Sequence, residues 1–392
     1  MEVKQIYQLV NSITNELLGS DDITLNEDLS NLVDVGEAVF DASKVDNYVK
    51  SLVDHVGHMI FVDRVYSARM PSILHKSWEY GSVVEKVRVT ALPEATENDD
   101  WQLTDGQSYD PNVFHSPSVE VKFYNSKVTF DIEMSIVEDQ VKSAFSNASQ
   151  MNRFISMIYV AIENSMNLKI DSLVMRAVNN MIAGTVKNAY GEAAFNSGSK
   201  VNAINLLYLY NTTMEPATPL TASNCLNDPE FIRFSVKTMG LIKSRLSTFS
   251  TLYNVGGTPK FTPDKDLHTV LLSELVESAK TYLQSDTYHK ELVALPNHEE
   301  VPFWQGSGQD YSFENTSKVS VKCVMPDGTN VNVTVGGVLG IMFDNEAVMV
   351  ANTKRKTTSN YNGRADFTNY WFKYECSYFN DFNENFVVFF VA

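Results

Sequence analysis

A run of apolar residues at helical spacing between positions 149 and 184 constrains this chain most strongly. Its members are Met151, Phe154, Ile155, Ile158, Ile162, Met166, Ile170, Leu173, Val174, Ala177, Val178, Met181 and Ile182. This spacing predicts one helix over about 149–183, with Gly184 just after its last turn. About 35 residues at ~1.5 Å per residue give a rod of ~50 Å, longer than most globular helices. The apolar positions do not keep a strict heptad, so the pattern does not favour a coiled coil.

Two alternating segments frame a long acidic stretch upstream of this helix. Residues 83–91 and 119–134 alternate apolar and polar side chains, which predicts two long strands. Residues 92–118 between them contain six carboxylates and three prolines but no Lys or Arg. This composition predicts an extended, solvated loop. Loops of this length are uncommon in compact domains unless they have a function.

The rest of the chain adds both helices and strands. Residues 2–18 and the segment from Ser43 have helical spacing, which predicts a helical arm at the N-terminus. Asp228-Pro229-Glu230 is a typical helix start, and residues 267–283 predict a buried strand followed by a helix. From Lys318 onward strand patterns dominate. Together these segments predict a mixed α+β fold.

Composition excludes several classes of protein. The apolar fraction of 44% is typical of an ordered globular protein. The net charge of -17 makes the average surface repel phosphate, so nucleic acid is not expected as a tight ligand. Three distant cysteines indicate neither a disulfide framework nor a zinc knuckle. The sequence also contains no signal-peptide pattern and no apolar run long enough to span a membrane.

A search for catalytic and metal-binding motifs yields no candidate. His55 and His58 have helical i, i+3 spacing but no third ligand at a suitable distance, and residues 298–300 (His-Glu-Glu) are expected in a loop. Asp99-Asp100 is an acidic pair without basic neighbours, better explained by solvation than by glycoside hydrolysis. No activated nucleophile or phosphate-binding glycine motif is present. We therefore predict no enzyme activity, no cofactor and no metal.

A basic run interrupts the acidic chain near its C-terminus. Lys354, Arg355 and Lys356 are consecutive, and Arg364 follows eight residues later among many aromatic residues. Such a mixture could stack nucleic-acid bases, but acidic residues also interleave with the aromatic ones. Aromatic residues at a spacing of two more often form a sheet face or a subunit interface. We expect the basic residues to meet carboxylates of the same or a neighbouring subunit rather than phosphates.

The order of elements and several short phrases resemble the major capsid proteins of tailed bacteriophages, which have the Hong Kong 97 fold. The C-terminal phrases look like those of head proteins from small podophages of Gram-positive hosts: Ile341 to Ala347 (I-x-F-D-x-x-A), the basic run, Asn369 to Trp371 (N-Y-W) and Asn385 to Phe389 (N-x-V-V-F). Residues 267–283 similarly look like an axial-domain strand and helix. The resemblance covers most of the chain by element order and about a fifth of it by such phrases.

This resemblance implies a domain plan. It consists of an N-terminal helical arm over 1–60, an extended loop over 61–130 with its acidic tip at 92–118, a peripheral domain over 131–200 and 330–370 that carries the long spine helix, and an axial domain over 201–329 and 371–392. In some members of the fold a Lys joins the loop covalently to a neighbour. Since residues 92–118 contain no Lys, non-covalent locking is expected here.

The resemblance also implies a function. The chain would assemble with itself into hexamers and pentamers of an icosahedral head in the virion, after synthesis in the host cytoplasm. Scaffolding and portal proteins would be further partners, and packaged double-stranded DNA a weak, non-specific content. The predicted subunit-contact residues are Glu94, Glu97, Asp99, Asp100, Trp101, Lys354, Arg355, Lys356 and Arg364. Two alternatives stay open from the residues alone: a soluble carbohydrate-active or carbohydrate-binding protein that uses exposed aromatics and carboxylates, and another phage structural or nucleic-acid-binding protein.

Overall fold

The computed structural model describes residues 66, 70–75, 84–89, 118–137, 148–285, 297–305, 310–326 and 328–392, with single positions between 92 and 116. The predicted arm over 1–60 lies outside the described residues. The chain divides into two units. The smaller contains residues 133–164 and 358–371, and the larger contains residues 66–132, 165–357 and 372–392.

Helices and strands alternate irregularly along the described chain, as a mixed α+β fold requires. The strands are β1 (Leu74–His75), β2 (Val84–Val89), β3 (Val119–Tyr124), β4 (Lys127–Ile136), β5 (Ala203–Asn205), β6 (Leu267–Leu272), β7 (Glu299–Val301), β8 (Val319–Val324), β9 (Asn330–Val335), β10 (Val338–Asp344), β11 (Val348–Asn362), β12 (Phe367–Asn380) and β13 (Phe386–Phe390). The longer helices are α1 (Ala148–Tyr190), α2 (Leu206–Met214), α3 (Pro229–Leu246) and α4 (Ser273–Ser285).

A five-stranded sheet of order β5-β13-β10-β6-β7 forms the core of the larger unit. Its central strand β10 runs antiparallel to β6 and β13, whereas the outer strands β5 and β7 are parallel to their neighbours. All five residues of β13 are buried, because side chains cover both faces of the sheet. Side chains of α2, α3 and α4 pack with β13 and β10 in one apolar cluster that includes Phe231, Leu275 and Phe389.

The predicted start of α3 is confirmed. Asp228 Oδ1 accepts a hydrogen bond from the backbone N of Phe231 at 2.9 Å, and Pro229 occupies the first helical position. The first turn of a helix lacks intrahelical partners for its N–H groups, so a side-chain acceptor stabilises it. The predicted strand followed directly by a helix is also present as β6 and α4.

The long helix α1 is present, but its predicted end is wrong. The helix spans 43 residues and ends at Tyr190, where Gly191 has φ 59° and its N donates to the Lys187 carbonyl at 2.8 Å. Gly184 lies inside the helix. A Cβ on Gly184 would lie 2.5 Å from Cε1 of Phe382, so this glycine permits close packing instead of ending the helix.

Two further segments differ from their predicted structure. Residues 119–134 do not form one strand, because the chain leaves β3 at Asn125-Ser126 and enters β4 in a different sheet. The alternation changes phase at this break, because the apolar residues are odd-numbered in β3 and even-numbered in β4. Residues 299–301, expected in a loop, form β7 at the sheet edge, where Glu299 pairs with Val270 of β6.

A four-stranded sheet of order β1-β11-β12-β4 contains the three longest strands. The chain turns at residues 363–366 between β11 and β12, and so short a connection joins antiparallel neighbours. The smaller unit contains the strand segments 133–136, 358–362 and 367–371 and the first 17 residues of α1. None of the helices described is both long enough and apolar enough to cross a membrane.

Candidate assembly surface on the β2–β3 ribbon

Strands β2 and β3 form a two-stranded antiparallel ribbon within the larger unit. Val87 lies opposite Val121, and Val89 lies opposite Val119. Among the described strands, neither β2 nor β3 pairs with a third. The ribbon includes the residues on either side of the acidic stretch 92–118, so it holds both ends of that stretch together.

The outer face of the ribbon is exposed and, apart from Glu85, apolar. Val87, Val89, Val119, Val121 and Phe123 each retain between 44% and 64% of their accessible surface. Leu92, just beyond β2, is 57% exposed. A half-buried strand usually directs its apolar side chains inward and its polar ones to solvent. This ribbon instead directs its apolar side chains to solvent. We refer to Val87, Val89, Val119, Val121 and Phe123 as the outer ribbon face.

The inner face of the ribbon carries charges that are partly buried. Lys86 Nζ lies 2.6 Å from Glu384 Oε1, 3.0 Å from Asp381 Oδ2 and 3.2 Å from Glu346 Oε2. Two more lysines contact the same carboxylates: Lys122 is 3.4 Å from Asp381, and Lys260 is 2.9 Å from Glu384. Lys86, Lys122, Lys260, Asp381 and Glu384 form what we call the ribbon cluster.

The two central carboxylates of the ribbon cluster are almost fully buried. The side chain of Asp381 is 1% exposed and that of Glu384 is 4% exposed. Burial alone would raise the pKa of Asp381, but Lys86 and Lys122 more than offset it and lower this pKa to about 2. Burial likewise disfavours the charged Lys86, yet Asp381 and Glu384 raise its pKa above the usual value. Asp381 and Lys86 are therefore both ionised at neutral pH.

Local backbone structure directs the acidic side chains of residues 381–384 toward the ribbon. The Asp381 N donates to the Ala347 carbonyl at 2.8 Å, and the Glu384 N donates to the Asp381 carbonyl at 3.2 Å. Asp381 Oδ1 also accepts a hydrogen bond from the Asn383 N at 3.1 Å. Beside this turn, the rings of Tyr124 and Phe379 stack with their centroids 4.4 Å apart. The cluster thus joins the ribbon to the body of the larger unit.

The sequence-predicted contact residues are only partly described. Lys354, Arg355 and Lys356 are exposed on β11 in the larger unit, and the Arg355 guanidinium lies 4.5 Å from the ring centroid of Tyr374. Arg364 is exposed in the turn after β11 within the smaller unit. The five predicted residues of the acidic tip lie outside the described residues: Glu94, Glu97, Asp99, Asp100 and Trp101.

Sequence reasoning missed the ribbon cluster. Lys86 lies in a segment that alternates like an ordinary amphipathic strand, so nothing local marks its side chain as buried. Asp381 and Glu384 are visible as acids among the C-terminal aromatics, which is the one local signal. An acid inside an aromatic stretch needs a cation when it is buried. That requirement predicts a partner but does not identify Lys86.

The candidate metal ligands behave as ordinary polar groups where they are described. Glu299 accepts hydrogen bonds from the backbone N of Ser72 at 3.1 Å and from its hydroxyl at 2.6 Å. His298 and Glu300 lie 3.6 Å apart at Nε2 and Oε1. Across the described residues, no group of three or more His, Cys, Asp or Glu could hold a metal ion. His55 and His58 lie outside them.

Comparison with solved structures defines the class of this fold. Over 86% of this chain, the fold matches 87% of a chain in the capsid structure of Staphylococcus phage Andhra, with a TM-score of 0.52 and 13% identity. A chain from the structure of the head fiber and inner core protein gp22 of native bacteriophage P68 matches with the same coverage and TM-score and 12% identity. The chain therefore has an α+β fold found in phage capsids.

The particular family follows from sequence comparison. The family model described as Phi29-like phage major capsid protein matches residues 10–390, and the chain belongs to this family. A major capsid protein of Bacillus phage GA-1 is 21% identical over 166 residues, which cover 42% of this chain and 34% of that relative. The predicted class, a structural capsid protein of a bacteriophage, is confirmed. The carbohydrate-related alternative has no support.

Proposed function

We propose that this chain assembles with copies of itself into the closed icosahedral shell of a phage head around double-stranded DNA, and that the outer ribbon face is one of its subunit contacts. The exposure of five apolar side chains on one face carries this proposal. Contiguous apolar patches of this kind are typical of interaction sites. Membership of a capsid family makes a second copy of the chain the natural partner.

The ribbon cluster supports this role because it fixes the orientation of the ribbon. Ion pairs between Lys86 and the buried carboxylates Asp381 and Glu384 hold the inner face against the body. The apolar side chains are thereby directed away from the body of their own subunit. A contact surface that is ordered before association loses less conformational entropy when a partner binds.

The Hong Kong 97 arrangement extends the proposal to the rest of the chain. In this plan α1 is the spine helix of the peripheral domain, residues 61–130 form the extended loop, and the axial domain contains α2, α3 and α4 with strands β5, β6, β7 and β13. Hexamers and pentamers would form the shell, with scaffolding and portal proteins as further partners. The acidic average charge suits a container that does not bind its DNA tightly.

Deletion of residues 94–116 tests the role of the loop. We expect the variant to fold, as judged by circular dichroism, and to form no shells in electron micrographs. Shells of normal size and number from this variant would contradict the proposal.

Point substitutions test the outer ribbon face more narrowly. Val121→Ser with Phe123→Ser should leave the thermal unfolding of the subunit nearly unchanged, because both side chains are exposed, and should reduce shell yield about tenfold or more. Leu241→Ser with Val324→Ser removes two similarly exposed apolar side chains elsewhere and serves as the matched control. Equal shell yields from the two double variants would argue against a specific role for the ribbon.

A further inference from the structure

The turn between β11 and β12, in the smaller unit, begins with an Asn-Gly pair. Asn362 is the last residue of β11, and Gly363 is the first residue of the turn. Residues 361–366 are all exposed, so water reaches both members of the pair. Because glycine has no Cβ, the backbone N of Gly363 is open to approach by the side chain of Asn362.

Hairpin geometry does not explain this pair. Asn-Gly is common in two-residue hairpin turns, where both residues need a positive φ. In this turn the positive φ, 50°, belongs to Asp366, and neither Asn362 nor Gly363 has one. Among the described residues beyond its chain neighbours, a Cβ on Gly363 would approach only Cε1 of Tyr361, at 3.6 Å, which is an ordinary van der Waals contact. Neither backbone conformation nor packing therefore requires glycine at position 363.

The side chain of Asn362 folds back over the peptide bond that follows it. Its Oδ1 accepts a hydrogen bond from the backbone N of Arg364 at 3.1 Å. The ring that this bond closes contains both Cγ of Asn362 and the backbone N of Gly363, as in other Asx turns. The same N–H donor stabilises the negative charge that develops on Oδ1 when a nucleophile attacks Cγ. The turn thus holds an activated amide carbon beside an unshielded backbone N.

We propose that Asn362 is a site of spontaneous deamidation through a cyclic imide. The backbone N of Gly363 attacks Cγ of Asn362, so that an N–Cγ bond forms and the Cγ–Nδ2 bond breaks. The proton of the Gly363 N leaves with Nδ2 as ammonia. Water then adds to one of the two carbonyl carbons of the five-membered imide and opens it. The products are aspartate and isoaspartate at position 362, and the only co-reactant is water.

The modification changes the charge and the backbone of the turn. A carboxylate replaces a neutral amide two residues from Arg364, so the turn loses its excess of positive charge with time. Isoaspartate also lengthens the main chain by one carbon at the end of β11. This chemistry needs only the turn itself, so the inference does not depend on the proposed shell assembly.

Mass spectrometry of the full-length protein, incubated dilute and unassembled at pH 7 and pH 9, tests the assignment. Trypsin releases residues 357–364, a peptide that also contains Asn360, which is exposed on the same strand but is followed by Tyr361. We expect conversion of amide to acid at Asn362 and not at Asn360, with isoaspartate among the products. The rate should be higher at pH 9, because the Gly363 N attacks after it loses its proton.

Gly363→Ala separates the chemistry of the pair from the stability of the turn. The added Cβ has room, so thermal unfolding should stay as in the wild type. Conversion at Asn362 should slow about tenfold or more, because the methyl group displaces the side-chain amide from its position over the peptide bond. In the wild type the folded subunit should react at least as fast as a synthetic peptide of residues 357–364, since the native turn already holds the attacking geometry.

Four results would overturn the assignment. They are no conversion at Asn362, equal conversion at Asn362 and Asn360, an unchanged rate in Gly363→Ala, and a much slower reaction in the folded subunit than in the synthetic peptide. The last result would mean that the native turn protects the side chain instead of activating it. Shell yield enters none of these measurements, so failure of this inference leaves the proposed function unaffected.

Discussion

The Lys86 ammonium lies 2.6 Å from the Glu384 carboxylate, although 298 residues separate them in the chain. This contact joins the ribbon, which flanks the acidic stretch 92–118, to the turn that precedes the last strand. Lys86 lies in a strand whose alternation suggests an exposed polar side chain, and Glu384 lies among the C-terminal aromatic residues. The pair therefore links the first half of the described chain to its C-terminal end, and the orientation of the outer ribbon face depends on it.

Removal of the Lys86 charge should destabilise the subunit. In Lys86→Met the side chain keeps its length, but Asp381 and Glu384 retain only Lys122 and Lys260 as cationic neighbours. Loss of one member of a buried ion pair typically costs 3–5 kcal/mol, and the remaining lysines lead us to expect about 3 kcal/mol. Urea unfolding of the unassembled subunit measures this. Lys237→Met should change the free energy of unfolding by less than about 0.5 kcal/mol, and an equal loss in both variants would refute a special role for Lys86.

Acid should weaken the fold through Asp381. Its pKa is about 2 in the folded protein, below the ordinary value of 3.8, so the unfolded chain binds more protons between these values. The resulting stabilisation, about 2 kcal/mol, is complete above pH 4 and is lost as the pH falls toward 2.

Unfolding measured from pH 6 to pH 2 tests this dependence. Asp381→Asn should lower stability at pH 6 and flatten the decline between pH 4 and pH 2. Asp131→Asn, which changes an exposed carboxylate on β4, should retain the wild-type slope. A wild-type slope in Asp381→Asn would show that other carboxylates cause the decline.

The same substitution at two helical glycines should have opposite effects. Gly184→Ala in α1 places a Cβ 2.5 Å from the ring of Phe382, which is itself buried, and should cost about 1–3 kcal/mol. Gly240→Ala in α3 meets no atom within 4 Å and should stabilise the protein by up to about 1 kcal/mol. Thermal unfolding of the two variants measures both changes in stability. A stabilised Gly184→Ala would mean that the Phe382 ring can move aside.

Charge reversal of the basic run should reduce the yield of shells without reducing the amount of DNA that each shell retains. Lys354→Glu, Arg355→Glu and Lys356→Glu together change three exposed residues of β11. Because like charges repel across an interface, we expect shell yield to fall about tenfold, with unchanged nuclease-protected DNA in each shell that forms. Reversal of Lys237, Lys318 and Lys322 provides a control with the same change in charge on other exposed positions. Normal shells that retain less DNA would instead assign the run to DNA contact.

Local sequence patterns were sufficient where the structure depends on neighbours within a few residues. The periodicity of residues 149–183 predicts α1, and Asp228-Pro229 predicts the start of α3, because capping and helical spacing act within one or two turns. The composition of residues 92–118 predicts an extended loop, and most of these residues lie outside the described part of the chain. Of the candidate assembly surface, the sequence predicts the acidic and basic contact residues but not the ribbon face or its cluster.

The sequence by itself determined the long helix α1, the capped start of α3 and the succession of β6 and α4. Only tertiary structure decided that Gly184 continues a helix, that Asn125-Ser126 divides two sheets and that Lys86 is buried while Val87 is exposed. The reason is physical. Each of these features depends on a contact with residues far away in the chain, and the alternation of a strand defines two faces without stating which one meets the body.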